Sequence, residues 1–195
     1  MLFRSSSPDS HFFGDHIIAV RLKLLDDRKR PVNVLLVSAY FPIRAASQKI
    51  RHDFYLDLER CVLSCAENET LLLATDSNLS LGTRDSPRNA VLGPFGVPHR
   101  NKAGTELYQF CSRLGLCSPT SFFQKPRYAT WRNPRTKLEH QIDTFVTQKS
   151  FLSKITDAQC LGRPVMCSGH NGVLLTARCA HSLWKRKTEI GRAHV

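Results

Sequence analysis

Nine consecutive residues constrain this chain more than any other feature. Val32-Asn33-Val34-Leu35-Leu36-Val37-Ser38-Ala39-Tyr40 is β-branched and almost continuously apolar, and Pro42 closes it. Such a run reads as a strand covered on both faces, which requires other layers above and below it. The neighbouring segments supply those layers. Residues Ile17 to Leu24 alternate as a strand, with Ile18, Val20, Leu22 and Leu24 on one face. The charged turn Asp26-Asp27-Arg28-Lys29-Arg30-Pro31 links that strand to the apolar run as a hairpin.

Beyond Pro42 the period changes from two to three and four. From Gln48 to Cys65, the residues Phe54, Leu58, Cys61, Val62 and Cys65 form an apolar stripe opposite Asp53, Asp57 and Arg60, which predicts an amphipathic helix. Glu69 to Ala74 then reads as a short buried strand running into Thr75-Asp76-Ser77-Asn78. A Gly/Pro-rich stretch, Gly82 to Gly104, precedes a second helix that buries Leu107, Phe110, Cys111 and Leu114 and stops at Gly115. Further strands are expected at Ala129 to Arg132, Gln141 to Thr147 and Val173 to Cys179. Helices lying between buried strands predict an α/β sandwich, sheet on sheet with helices outside.

Composition narrows the partners. The 195 residues carry a net charge of +12, and 42% are hydrophobic, consistent with one globular domain. Between Met1 and Arg100 there are 13 basic and 11 acidic residues, whereas Asn101 to Val195 holds 15 basic and 5 acidic. A polyanion is therefore expected to meet the second half, and nucleic acid is the commonest such partner. No apolar run approaches the ~20 residues needed to cross a bilayer, so no membrane partner is expected. The N-terminus has no apolar stretch of signal-peptide length, and the seven cysteines are expected as reduced thiols rather than as a secreted disulfide framework. No two cysteines are spaced to present paired thiolates to zinc, and the eight histidines include no His-Glu-x-x-His arrangement. No metal ligands are assigned from spacing.

Four polar groups sit where apolar strands end: Tyr40 with Pro42, Asp76 with Asn78, Gln141-Ile142-Asp143, and Ser168-Gly169-His170. Phosphodiester hydrolysis at neutral pH needs a base for water, a donor for the leaving oxygen and polar groups on the phosphate. A histidine oriented by an aspartate, an Asp-x-Asn pair and a tyrosine hydroxyl can supply these. Each also has a structural use, Asp76 and Asn78 as turn formers, Asp143 as a cap or ion-pair partner, His170 as a loop residue and Trp131 as core.

In this order, Val37-Ser38-Ala39-Tyr40-x-Pro42, Leu72-Leu73-Ala74-Thr75-Asp76-Ser77-Asn78, Val91 to Gly96, Ala129-Thr130-Trp131-Arg132, Gln141-Ile142-Asp143 and Ser168-Gly169-His170 resemble the endonuclease/exonuclease/phosphatase superfamily. The likeness is strongest to the apurinic-type endonuclease domain of non-LTR retrotransposons and to craniofacial development protein 2-like proteins, and it spans about residues 16 to 180. It implies a four-layer α/β sandwich and Mg²⁺-dependent cleavage of DNA. It also implies that His170 is the base, that Asp143 orients it and that Asp76 handles proton transfer. Asn78 and Tyr40 would then hold the phosphate. Trp131 and Arg132, with Arg127, Arg135 and Lys137, would line the nucleic-acid groove.

The match has gaps. The family begins with strands carrying an Asn and a metal-binding Glu, which nothing before Ile17 supplies; Gly169 stands where the family has Asp; and Thr75 and Ser77 replace Gly and Phe around Asp76. The expectation is an N-terminally truncated, inactive or weakly active DNA endonuclease domain of retroelement origin, with an incomplete Mg²⁺ site and marginal stability. A non-catalytic basic nucleic-acid-binding module and a phosphatase or phospholipid phosphodiesterase of the same superfamily are the alternatives. Residues 1–15 are expected to be irregular, 16–182 the domain and 183–195 a basic tail. Within that tail, Glu189 to Val195 match the translation of the adapter stretch GAGATCGGAAGAGCACACGTC. Trp184-Lys185-Arg186-Lys187 would lead toward a downstream reverse transcriptase, and a nuclear location would follow from the resemblance alone.

Overall fold

The computed structural model describes residues 10–25, 29–43, 45–84, 90–164 and 169–178. In chain order the elements are β1 (Ser10–Phe12), β2 (Ile17–Leu25), β3 (Pro31–Tyr40), α1 (Gln48–Leu63), β4 (Glu69–Asp76), α2 (Lys102–Arg113), β5 (Leu116–Cys117), β6 (Trp131–Arg132), β7 (Glu139–His140), β8 (Asp143–Gln148), β9 (Ile155–Pro164) and β10 (Asn171–Ala177). Six strands form a mixed sheet in the order β1-β2-β3-β4-β8-β5, and β9–β10 and β6–β7 form two antiparallel pairs. Only β3 and β4 run parallel in the large sheet, joined through α1 as a βαβ crossover. This is the α/β arrangement expected from the sequence.

The core lies between that sheet and the two helices. Leu35, Val37 and Ala39 of β3, Ile17 and Ala19 of β2, and Leu71 and Leu73 of β4 pack with Phe54, Leu58 and Cys61 of α1 and with Leu107 and Cys111 of α2. Fully burying a Leu contributes roughly 1.5–3 kcal/mol, so these side chains dominate the stability. Ser47 caps α1 by accepting from the Ile50 N–H, and Asn101 caps α2 by accepting from the Gly104 N–H at 2.7 Å. Gly104 is required where α2 crosses the 79–81 segment, because a Cβ there would lie 1.9 Å from the Ser80 carbonyl oxygen. Gly115 ends α2 in the left-handed region at φ +66°.

The register refines two expectations. Ile18, Val20, Leu22 and Leu24 do share a face of β2, but that face is half-buried, and Ile17 and Ala19 point into the core. The apolar run of β3 is covered completely only on its helix side. On the other face Val32 and Val34 are buried while Leu36, Ser38 and Tyr40 are exposed, because the β9–β10 pair packs beside β8 rather than across β3.

Other differences are of extent. Ser10–Phe12, within the stretch expected to be irregular, pair with β2. The strand expected at Ala129 to Arg132 contracts to Trp131–Arg132, and β8 and β10 are each displaced by two residues from the expected start. Strand β9 was not legible in the sequence, because its Thr156, Asp157 and Gln159 break the apolar pattern and only Ile155 and Ala158 reach the core. Ser168, Cys179 and the tail from 183 to 195 lie outside the described residues.

Cys61, Cys111 and Cys117 are buried thiols, and burial pushes them up to about 11, 12 and 11 respectively. They are apolar fillers of the core rather than nucleophiles. None of the described helices is long and apolar enough to cross a membrane.

Candidate active site

One end of the large sheet gathers the polar residues singled out above. Strand register sets Tyr40 opposite Asp76 and Asp76 opposite Asp143, so the three occupy neighbouring positions at the ends of β3, β4 and β8. His170 immediately precedes β10 and is held by a bridge to Trp131. Its Nδ1 lies 3.0 Å from Asp143 Oδ2 and 3.3 Å from Oδ1. Asp76, Asp143 and His170 each offer a ligand atom within 4.8 Å of the others, and all three are half-buried. Spacing along the chain gives no sign of this cluster, because the three come from segments distant in sequence.

The environment acts on the Asp76 carboxyl. Partial burial, and then the charge of Asp143, push the Asp76 carboxyl above the usual carboxylate range; His170 and the Asn78 N–H oppose that push. Asn78 adopts φ +49°, a left-handed conformation that asparagine tolerates better than most residues. Its N–H faces Asp76 Oδ1 at 3.4 Å, and its side-chain amide donates to the Phe41 carbonyl at 3.2 Å. Asn78 therefore stitches β4 to the end of β3 as well as facing the site. Tyr40 is 47% exposed beside the His16 ring, 6.2 Å between centroids.

Trp131 is half-buried between two histidines. Its ring centroid is 5.6 Å from that of His140 and 6.5 Å from that of His170. The β6–β7 hairpin carries Arg132 on β6 and Arg135 and Lys137 on the turn, all exposed. The Arg132 guanidinium donates back to the Lys137 carbonyl at 3.1 Å. Arg127 is exposed on the preceding loop, where it lies against Gly162 of β9. Gly169 is exposed, and a Cβ added to it would meet Trp131 Nε1 at 3.7 Å, an ordinary contact.

Sequence reading missed the hydroxyls that hold this end together. Ser77 gives both its N–H (2.8 Å) and its side-chain O–H (2.6 Å) to the Ile142 carbonyl. Thr130 Oγ1 accepts from the Ile142 and Asp143 N–H groups, both at 3.0 Å. Ser118, Thr120 and Thr144 form a further buried hydroxyl cluster, with Oγ–Oγ1 and Oγ1–Oγ1 separations of 2.8 to 3.2 Å. Their local sign is adjacency to residues singled out above, Ser77 to Asp76, Thr130 to Trp131 and Thr144 to Asp143.

No family model matches the chain. It is 28% identical over 167 residues to craniofacial development protein 2 of Bos taurus and 26% identical to that of Tragulus javanicus. Each match covers 85% of this chain but only 27% and 28% of the relative's length, respectively. Among solved structures, it superposes on the 3'-5' exonuclease NExo of Neisseria meningitidis with a TM-score of 0.61 at 17% identity, over 87% of this chain and 71% of that one. The endonuclease domain of TRAS1, a telomere-specific non-LTR retrotransposon, gives 0.61 at 16% identity, over 90% and 71%. The catalytic domain of Xenopus laevis APE2 gives 0.59 at 18%, over 84% and 55%. The chain has the endonuclease/exonuclease/phosphatase fold.

Proposed function

We propose that the chain is a DNA endonuclease domain of the retroelement type that hydrolyses phosphodiesters slowly with Mg²⁺. The observation that carries this reading is the Asp143–His170 pair at 3.0 Å beside the Asp76 carboxyl. With Nδ1 turned to Asp143, His170 takes a proton from water through Nε2, and the Asp143 carboxylate stabilises the charge that develops on the ring. Asp76, beside the pair, handles proton transfer at the leaving oxygen. Tyr40 and Asn78 line the same end of the sheet and orient the phosphate.

The donor set fits a hard cation. Asp143 would supply a carboxylate, and Mg²⁺ commonly binds through one or two of them. Bound there, the cation would neutralise phosphate charge. Gly169 withholds a third acidic group, so the proposed rate is low. The excess of positive charge after Asn101 and the cations of the β6–β7 turn favour a long polyanion over a small phosphate ester. The names of the superposed structures, an exonuclease, an endonuclease domain and NExo with a product DNA hairpin, agree with DNA as substrate.

Incubating the protein with supercoiled plasmid and Mg²⁺ tests the reading. Slow nicking that His170→Ala reduces by about 10²-fold or more supports it. Salt-sensitive DNA binding without nicking would point to a non-catalytic module, and turnover of an inositol phosphate without nicking to a phosphoesterase.

A further inference from the structure

Thr130 is 1% exposed, and it stands between the two segments that carry the carboxylate and the imidazole. Its side chain holds one of them. Oγ1 accepts from the N–H groups of Ile142 and Asp143, so both lone pairs are used on the residue that begins β8. Its main chain holds the other. The Thr130 carbonyl accepts from the N–H of Asn171, which follows His170 directly, at 2.6 Å. The Thr130 N–H donates to His140 at 2.9 Å, which keeps β7 in the same assembly.

The ladders reach this place only at their ends. Asp143 is the last paired residue where β8 leaves β4, and His170 is joined to β6 by a single bridge rather than by a continuous strand. The ends of ladders open more readily than their middles. Ser77 grips the Ile142 carbonyl from the β4 side, so the Ile142–Asp143 peptide is fixed between two buried hydroxyls, Ser77 at 2% and Thr130 at 1% exposure.

We infer that Thr130 is a positioning residue whose hydroxyl fixes the Asp143 carboxylate against His170 Nδ1 and thereby sets which ring nitrogen carries the proton. The inference deepens the reading of the Asp143–His170 pair as a base and its orienter, and it rests on that reading for its catalytic meaning. A neutral imidazole must keep its proton on Nδ1 if Nε2 is to act as base. Displacing the carboxylate removes the acceptor that holds it there.

The test reads the ring directly, without DNA or metal. Long-range proton–nitrogen correlation spectra of ¹⁵N-labelled protein, at a pH where His170 is neutral, report the tautomer from carbon-bound protons. The wild type is expected to show the Nδ1–H form as the major species. Thr130→Val keeps the shape and removes the acceptor, and it should make the Nε2–H form the major one. Thr130→Ser keeps the hydroxyl and should retain the wild-type tautomer. Thr130→Ala gives the same contrast with Ser if Val is too poorly tolerated to fold. Wild-type tautomer in Val or Ala, or its loss in Ser, overturns the inference. A wild type that shows the expected tautomer and the expected response to substitution, yet does not nick plasmid, would sink the nuclease reading and leave the positioning role standing.

Discussion

Asp143 Oδ2 and His170 Nδ1 lie 3.0 Å apart although the residues are separated by 27 positions, Asp143 opening β8 and His170 lying just before β10. Neither is fully buried: the side chains are 21% and 33% exposed. The pair therefore remains accessible to water and substrate while the backbone beneath it is held by the buried Thr130 and Ser77 hydroxyls.

Asp143→Asn tests that relationship most directly. The amide has nearly the shape of the carboxylate, so secondary structure and thermal midpoint should change little. It cannot stabilise an imidazolium, and plasmid nicking should fall by about 10²-fold or more. A rate within threefold of wild type would show that the pair does not act as base and orienter.

Asp76 makes a prediction about pH. Its folded carboxyl binds a proton more tightly than the unfolded one, because burial and Asp143 disfavour the charge. Its contribution to stability is therefore fully present below the ordinary aspartate range and is lost as pH rises through the raised folded value. At pH 7 Asp76→Asn should melt above the wild type, and the gap should narrow as pH falls toward the usual range of Asp. Thermal melts followed by circular dichroism across pH 4 to 7 would show this, and a variant less stable than wild type at pH 7 would contradict it. The same substitution should lower nicking, because the proposed proton donor is gone.

The sequence carried the scaffold further than it carried the site. β3, α1 and β4 were legible because their apolar residues recur at periods of two and 3.6 along uninterrupted segments. β9 was not, since its pairing with β10 supplies what its own residues do not signal. Asp76, Asp143 and His170 were each visible as polar residues ending apolar runs. Their convergence within 4.8 Å depends on the order β4-β8 and on the bridge from Trp131 to His170, both products of tertiary pairing. Thr130 stands in one of the resembling strings, but its role is illegible there for the opposite reason. A threonine before a tryptophan has ordinary strand propensity, and nothing local shows that its hydroxyl will face the peptide of Asp143.

Gly169→Asp should raise activity. Among the described residues an added Cβ meets the Trp131 indole, Nε1 at 3.7 Å and Cδ1 at 3.8 Å, both ordinary contacts. The new carboxylate would stand one residue from His170 and beside an indole N–H able to donate to it. Mg²⁺-dependent nicking should increase at least tenfold, equivalent to about 1.4 kcal/mol of barrier. An unchanged rate in a folded variant would mean that the low activity has another origin than the missing acid at this position.

The last prediction concerns how DNA is held. Arg132, Arg135 and Lys137 are exposed on the β6–β7 hairpin, which begins with Trp131, whose ring lies beside His170. Cations placed there can neutralise phosphates flanking the bond to be cut. Each phosphate contact releases condensed counterions and contributes about 0.9 to the slope of log affinity against log salt. Replacing all three residues by Ala should therefore weaken duplex binding at low salt and flatten that slope by about 2 to 3. The comparison discriminates because a loss of fold would abolish binding at every salt concentration, whereas loss of phosphate contacts preserves a measurable, less salt-sensitive affinity. Titrations monitored by fluorescence anisotropy at several NaCl concentrations measure it. A triple variant that binds with the wild-type slope would place the DNA on another face and remove this turn from the proposed interface.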